Sequence, residues 1–117
     1  FRPFAPSILE EHTFDYFYIP VLSPYMLMVA PIKKPEIIPA VTHVDGTGRL
    51  QTVSKKSNPL YHELISEFYR ITNVPVIINP SMNVMGEPIV NTPEQAYQMI
   101  TKTDMDYLFL GNYMVKK

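Results

Sequence analysis

The chain contains no cysteine among its 117 residues, which excludes disulfides, thiolate metal sites and cysteine nucleophiles within it. It also lacks any run of about eighteen apolar residues, the length that a membrane helix needs. Excess charge is absent too, since ten Lys and Arg stand against eleven Asp and Glu. We therefore expect a cytoplasmic protein that has neither a membrane nor a nucleic acid as its partner.

What the sequence does have is the composition of an ordinary folded domain. Apolar residues make up 46% and charged residues 18% of a chain that is long enough for a single core. Its opening string, FRPFAPS, has no initiator methionine and contains two prolines. We interpret the chain as a piece of a longer polypeptide.

Three elements are predicted for the first half of the chain: a helix over 8–17, a strand over 25–30, and a hairpin whose strands 41–44 and 50–53 flank the loop 45–49. The helix follows from the capping-box spacing of Ser7 and Glu10. The hairpin follows from the Asp-Gly and Thr-Gly pairs in the loop, because glycine tolerates positive φ.

The second half is predicted to contain helices over 58–72 and 92–102 and strands over 74–78, 107–110 and 113–115. Asn58 before Pro59 is a helix start, and Thr92 with Gln95 forms a second capping box. Apolar residues of the first helix recur at helical spacing and are expected to face inward: Tyr61, Leu64, Ile65, Phe68 and Ile71. The β-branched strand 74–78 is expected to be buried on both faces. This alternation favours a mixed α/β sheet with helical crossovers.

A polar loop directly follows the strand 74–78. Asn79, Ser81 and Asn83 place side-chain donors and acceptors there, and ligands of open α/β sheets bind beyond the carboxyl ends of strands. Ser81 and Asn83 would point the same way if the segment stays extended, which suits a phosphate, a carboxylate or an adenine edge. The alternative is a turn that only caps the strand. A serine nucleophile is disfavoured because no G-x-S-x-G string surrounds Ser81.

Two arginines are candidate anion ligands. Arg2 lies beside prolines that hold its backbone, and Arg49 follows the glycine-containing loop; a guanidinium fork suits phosphate and carboxylate. For Arg2 the alternative is an ordinary surface ion pair. His43 and Asp45 could ligate a metal, but two ligands are too few for a specific site, so no metal site is predicted.

Several strings resemble the C-terminal domain of the NodU/CmcH-type O-carbamoyltransferases, in the family's order along the whole chain. They are RPFAPSILEE at 2–11, SPYM at 23–26, PAVTHVDGTGRLQTV at 39–53, NPLYHELISEF at 58–68, VPVIINPSMNVMGEPIVNTPEQA at 74–96 and LGNYMVKK at 110–117. The resemblance implies an α/β fold with a YrdC-like twisted mixed sheet and flanking helices. It assigns residues 1–117 to the carbamoyltransferase C-terminal domain, present as a partial domain.

The resemblance also implies a reaction. Such a domain uses ATP, with Mg²⁺, and carbamoyl phosphate to form carbamoyl-adenylate and release pyrophosphate. An N-terminal transfer domain, which is missing from this chain and has its own metal site, then moves the carbamoyl group to a substrate hydroxyl. The alternative function is that of a noncatalytic nucleotide-binding or interaction module that stabilises the parent protein.

The resemblance gives roles to residues already selected, although no catalytic residue emerges. Four are implied to bind the nucleotide and carbamoyl groups: Arg2, Arg49, Ser81 and Asn83. Three would support them: His43, Asp45 and Asn79. If part of the sheet is missing, its exposed edges predict a homo-oligomer.

Overall fold

The computed structural model describes residues 3–117, which divide into a first unit ending at Pro80 and a second unit spanning Ser81–Lys117. The strands are β1 (Pro6–Leu9), β2 (Met28–Pro31), β3 (Thr47–Val53), β4 (Val76–Ile78), β5 (Tyr107–Leu110) and β6 (Tyr113–Lys116). The helices are α1 (Thr13–Tyr16), α2 (Pro59–Thr72) and α3 (Pro93–Lys102), with 3₁₀ turns at Glu10–His12 and Pro39–Val41. Within residues 3–117, no helix combines the length and the apolar character needed to cross a membrane.

The first unit is built on a four-stranded sheet with the order β2-β3-β1-β4. β1 runs parallel to β3, whereas β2 pairs with β3 and β4 pairs with β1 in the antiparallel sense. The parallel register places Ser7 beside Gln51, and the antiparallel register places Val29 beside Arg49. The predicted α/β class with a mixed sheet is therefore confirmed.

Both faces of this sheet are packed, but not equally. On one face, Leu50 of β3 belongs to a buried cluster that also contains Phe17. On the other face, Leu9 and Val53 pack against Ile65 of α2, which is fully buried. Arg49, four residues before Val53 on the same face of β3, is exposed. Hence α2 covers one end of this face, and the exposed arginine lies nearer the other end.

Gly48 of β3 lies at a close approach between the sheet and its apolar cluster. A Cβ added there would meet Ile32 Cδ1 at 3.0 Å, the Val41 carbonyl oxygen at 3.2 Å and Phe17 Cε1 at 3.4 Å. Gly48→Ala should therefore lower the free energy of unfolding by about 1–3 kcal/mol through overpacking. Denaturant unfolding measures this change. Unchanged stability of Gly48→Ala would contradict the prediction.

The second unit is a helix packed on a two-stranded sheet. α3 begins as predicted, because the Thr92 hydroxyl accepts a 3.2 Å hydrogen bond from the Gln95 amide. The Gln95 side chain in turn accepts a 2.7 Å bond from the Asn91 amide. Ala96 of α3 is buried against the antiparallel pair β5–β6 in a cluster that also includes Leu108. Packing on a helix stabilises a two-stranded sheet that would otherwise be marginal.

The predicted helix over 8–17 is wrong at its start, since residues 8 and 9 belong to β1. Ser7 lies in β1, where all four residues are buried and both strand edges are paired. Burial and ladder hydrogen bonds therefore outweigh the local capping-box signal, and helical geometry is confined to Glu10–His12 and α1. Phe14 of α1 is half exposed.

Three further predictions need correction. Residues 42–44 form no strand and residues 47–49 of the predicted loop already belong to β3, which pairs with β2 and β1 instead of forming a hairpin. β2 begins only at Met28, because Met26 has a φ of +57° that interrupts extended structure. β4 is an edge strand with Ile78 exposed, not a strand buried on both faces. The helix over 58–72 is confirmed as α2 with Asn58 as N-cap, but Leu64 and Ile71 point outward.

Candidate functional site

One face of β3 carries a row of polar side chains at alternate positions, Thr47, Arg49 and Gln51. The residues between them are buried on the opposite side of the sheet. At about 3.3 Å per residue, the row is roughly 13 Å long. We call it the β3 polar row; it contains the candidate residue Arg49, and its ends are hydrogen-bonded to the candidates His43, Asp45 and Asn79.

The Thr47 end of the β3 polar row is joined to the preceding loop. The Thr47 hydroxyl donates to Asp45 Oδ1 at 2.7 Å and lies 3.1 Å from His43 Nδ1. The Thr47 amide also donates to Asp45 Oδ1, at 3.0 Å. These side-chain and backbone hydrogen bonds lower the pKa of Asp45 from its ordinary value of 3.8. Asp45 is thus an ionised carboxylate at neutral pH, with Thr47 connecting it to His43.

The Gln51 end of the row is a second hydrogen-bonded group. Gln51 Oε1 accepts from the Ser7 hydroxyl at 2.9 Å and from Asn79 Nδ2 at 2.8 Å. Gln51 Nε2 donates to the Pro24 carbonyl at 3.3 Å. Asn79, which the sequence suggested as a supporting residue, is therefore held against β3 just after β4 ends.

Arg49 lies between these two groups. Its side chain is exposed, and within residues 3–117 it has neither a hydrogen bond nor an ion pair with a side chain. Arg70, by contrast, bonds Glu67 at 2.8 Å on the surface of α2. The guanidinium of Arg49 therefore retains all its donors for an anionic ligand.

In the second unit, Ser81 and Asn83 contact each other. The Ser81 hydroxyl donates to Asn83 Oδ1 at 2.5 Å, and bends at residues 82 and 83 take the place of the extended segment considered from the sequence. Asn83 Nδ2 donates to the Glu87 carbonyl at 2.9 Å, so the pair also closes the loop on itself. Asn83 borders a surface pocket of about 220 Å³ whose lining includes Glu87 and Lys102. The loop thus has the turn structure that the sequence left open as an alternative, and Asn83 lies at the edge of this pocket.

A hydrogen-bonded series of side chains has the order of a catalytic triad: Glu11, His62 and Ser66. The serine hydroxyl, however, donates to a backbone carbonyl and not to the histidine ring. His62 Nε2 lies 3.0 Å from Glu11 Oε1, and Ser66 Oγ lies 3.3 Å from His62 Nδ1. The Ser66 hydroxyl donates to the His62 carbonyl at 2.8 Å, the usual i−4 contact within a helix. A nucleophilic serine directs that proton to its base. This series of side chains links α2 to the Glu10–His12 turn, and Ser66 is not a nucleophile.

The structure thus assembles Arg49, His43, Asp45 and Asn79 along β3, and Ser81 with Asn83 in the other unit. Arg2 lies outside the described residues. Ser7 and Gln51 were missed by sequence reasoning; the available signal was that Gln51 follows Arg49 by two residues on a strand. Within residues 3–117, no group of three or more His, Asp or Glu side chains could hold a metal ion.

The fold and the β3 polar row define a small α/β domain with an unengaged arginine on an open sheet face. A family model described as Carbamoyltransferase C-terminus matches residues 1–117. The chain belongs to this family, which confirms the resemblance noted in its sequence strings.

Relatives of the chain include enzymes and nodulation proteins. It is 44% identical over 122 residues to Nodulation protein NolNO of Sinorhizobium fredii, a match that covers 100% of this chain and 18% of the relative. It is 38% identical over 91 residues to 3'-hydroxymethylcephem-O-carbamoyltransferase of Amycolatopsis lactamdurans, covering 78% of this chain and 18% of the relative. For Uncharacterized protein sll1178 of Synechocystis, identity is 43% over 139 residues, with 100% and 23% covered. The chain therefore spans about a fifth of the length of these relatives.

Proposed function

We propose that this chain is part of an ATP-dependent O-carbamoyltransferase and that its β3 polar row takes part in forming carbamoyl-adenylate. The observation that carries the proposal is Arg49, an exposed cation with no side-chain partner within residues 3–117, at the centre of a hydrogen-bonded row. Adenylation requires little covalent help from a protein but strong neutralisation of the triphosphate. A positioned guanidinium provides that neutralisation.

The chemistry of the row matches both substrates. Phosphate oxygens are fitted by the Arg49 fork. A carbamoyl group has one carbonyl acceptor and amide donors, which the uncharged side chain of Asn79, hydrogen-bonded to Gln51 of the row, can match. Mg²⁺ would enter with ATP, held chiefly by phosphate oxygens and one carboxylate. Asp45 is the candidate, since only its Oδ1 is engaged by Thr47.

The balance of atoms defines the products to be measured. A carbamoyl oxygen bonds to the α-phosphorus of ATP and pyrophosphate leaves, while carbamoyl phosphate loses its phosphate with uptake of one water. A hydroxyl of the acceptor then displaces AMP. The proposal assigns the first step to this domain and the second to a transfer domain of the whole protein.

Calorimetric titration with Mg²⁺ and ATP, with and without carbamoyl phosphate, tests the proposal. We expect ATP to bind and carbamoyl phosphate to alter its affinity, because the two ligands share one row. The same titration is then repeated with the intact protein, which supplies any further ligands to the phosphates. If neither form binds ATP, the nucleotide role is refuted.

One observation favours the second candidate, an interaction module. The outer surface of α2 exposes an apolar stripe of Leu60, Leu64 and Ile71, which are 78%, 58% and 73% exposed. Stripes of this kind mark contacts with other polypeptide. Failure of both forms of the protein to bind ATP would favour this module over the enzyme.

A further inference from the structure

We propose that Gln51 is a positioning residue of the nucleotide site. Its side-chain amide holds the segments on either side of β3, the strand that contains Arg49, and does not touch the ligand. The inference deepens the proposed function and rests on it. Gln51 is not among the candidate residues selected from the sequence.

The orientation of the Gln51 amide follows from its partners. The Pro24 carbonyl can only accept, so the nitrogen of the amide must face it, at 3.3 Å. The oxygen then faces two donors, the Ser7 hydroxyl at 2.9 Å and Asn79 Nδ2 at 2.8 Å. A single amide therefore joins three segments: β1, the end of β4 and the loop before β2. No apolar side chain of the same size can replace these contacts.

The loop that Gln51 holds has a strained backbone. Met26 has a φ of +57°, which a non-glycine residue adopts only at a cost. Such conformations persist where surrounding contacts determine them. Ser23 fixes the start of the loop, since its hydroxyl donates to the Leu50 carbonyl at 3.1 Å. At Met26 itself, the sulfur accepts a contact from Asn79 Nδ2 at 3.7 Å, and Asn79 is in turn held by its hydrogen bond to Gln51.

Arg49 is the neighbour of Gln51 on the same face of β3, about 7 Å along the strand. Without the Gln51 amide, Asn79 and the Pro24–Met26 loop lose their shared anchor beside the guanidinium. The site would then have to order these segments each time a ligand binds, and ordering entropy lowers affinity. The geometry thus points to an effect on ligand affinity that arises from loop order.

The test compares Gln51→Met with Ser66→Ala. Gln51→Met keeps the length of the side chain and removes all three hydrogen bonds, whereas Ser66→Ala removes a hydroxyl within α2 that contacts only His62. In Gln51→Met we expect faster hydrogen exchange at residues 25–27, a shifted Asn79 side-chain amide signal in NMR spectra, and ATP affinity reduced roughly tenfold. Ser66→Ala should change none of the three.

The outcomes separate the two levels of the proposal. Gln51→Met with normal loop exchange and an unshifted Asn79 signal overturns the positioning role. Loosened loops with unchanged ATP affinity overturn it as well, because loop order would then not matter to the ligand. A wild-type protein that binds no ATP overturns the proposed function and this inference, whereas binding by wild type with no difference in Gln51→Met overturns the inference alone.

Discussion

Arg49→Ala should weaken ATP binding by about 10–150-fold, the largest single effect expected in the first unit. Arg49 is exposed on the open face of β3 and has no side-chain partner within residues 3–117. Its loss therefore removes ligand contacts without breaking an internal one. A hydrogen bond to a charged group contributes about 1.5–3 kcal/mol, and each 1.4 kcal/mol is tenfold in affinity. Calorimetric titration with Mg²⁺ and ATP measures the change.

Two variants make the result specific. Arg49→Lys keeps the charge but not the two-pronged geometry, so its affinity should lie between wild type and Arg49→Ala. Arg70→Ala removes the same charge from α2, where Arg70 pairs with Glu67, and should leave ATP affinity unchanged. Equal affinities for wild type and Arg49→Ala would remove Arg49 from the nucleotide site. Equal losses of ATP affinity in Arg49→Ala and Arg70→Ala would indicate a general effect of net charge.

Local signals predicted the second half of the chain better than the first. Pro59 has its φ preset for the first turn of α2 after Asn58, and the Thr92 hydroxyl caps α3 by accepting from the Gln95 amide, so both starts depend only on neighbouring residues. Ser7 and Glu10 have the same spacing, yet Ser7 is in a strand paired with both β3 and β4. Those partners lie more than forty residues away, so no local pattern could reveal them.

The residues of the candidate site also divide into those that local sequence reveals and those that depend on distant partners. Arg49, Asn79, Ser81 and Asn83 could be selected from sequence because a polar side chain beside a strand end or a glycine loop is visible there. Gln51 was not selected, since its alternation with Arg49 does not reveal that its hydrogen-bond partners lie on three other segments. Gly48 was read as a residue for positive φ, but only Gly46 in that loop has one, at +78°. The close packing of Gly48 depends on side chains that only the folded unit brings near.

The Ser81–Asn83 pair of the second unit consists of a neutral hydroxyl and a neutral amide, which are groups that suit a carbamoyl moiety. The Ser81–Asn83 pair already satisfies part of its hydrogen bonding internally. A ligand that binds to Ser81 and Asn83 must compete with these internal hydrogen bonds. Its contacts with the pair therefore contribute to discrimination between ligands as much as to affinity.

Ser81→Ala combined with Asn83→Ala should lower carbamoyl-phosphate-dependent ATP–pyrophosphate exchange by about 100-fold, on the order of two lost hydrogen bonds to charged or polarised groups. The exchange is measured with the intact protein, because it reports adenylation alone. The cluster of Ala96, Ile100 and Leu108 contains neither residue, so α3 and its sheet should remain folded by circular dichroism.

The variants of this loop must separate ligand contacts from loop structure. Ser81→Ala alone leaves the 2.9 Å bond from Asn83 to the Glu87 carbonyl in place, so a loss of exchange in that variant reports the hydroxyl itself. Met85→Ala is the matched control, since Met85 lies in the same loop and is fully exposed. Normal exchange in the double variant would reduce the Ser81–Asn83 pair to a turn-forming element. A loss shared with Met85→Ala would instead show that the loop as a whole, and not these two side chains, sustains the reaction.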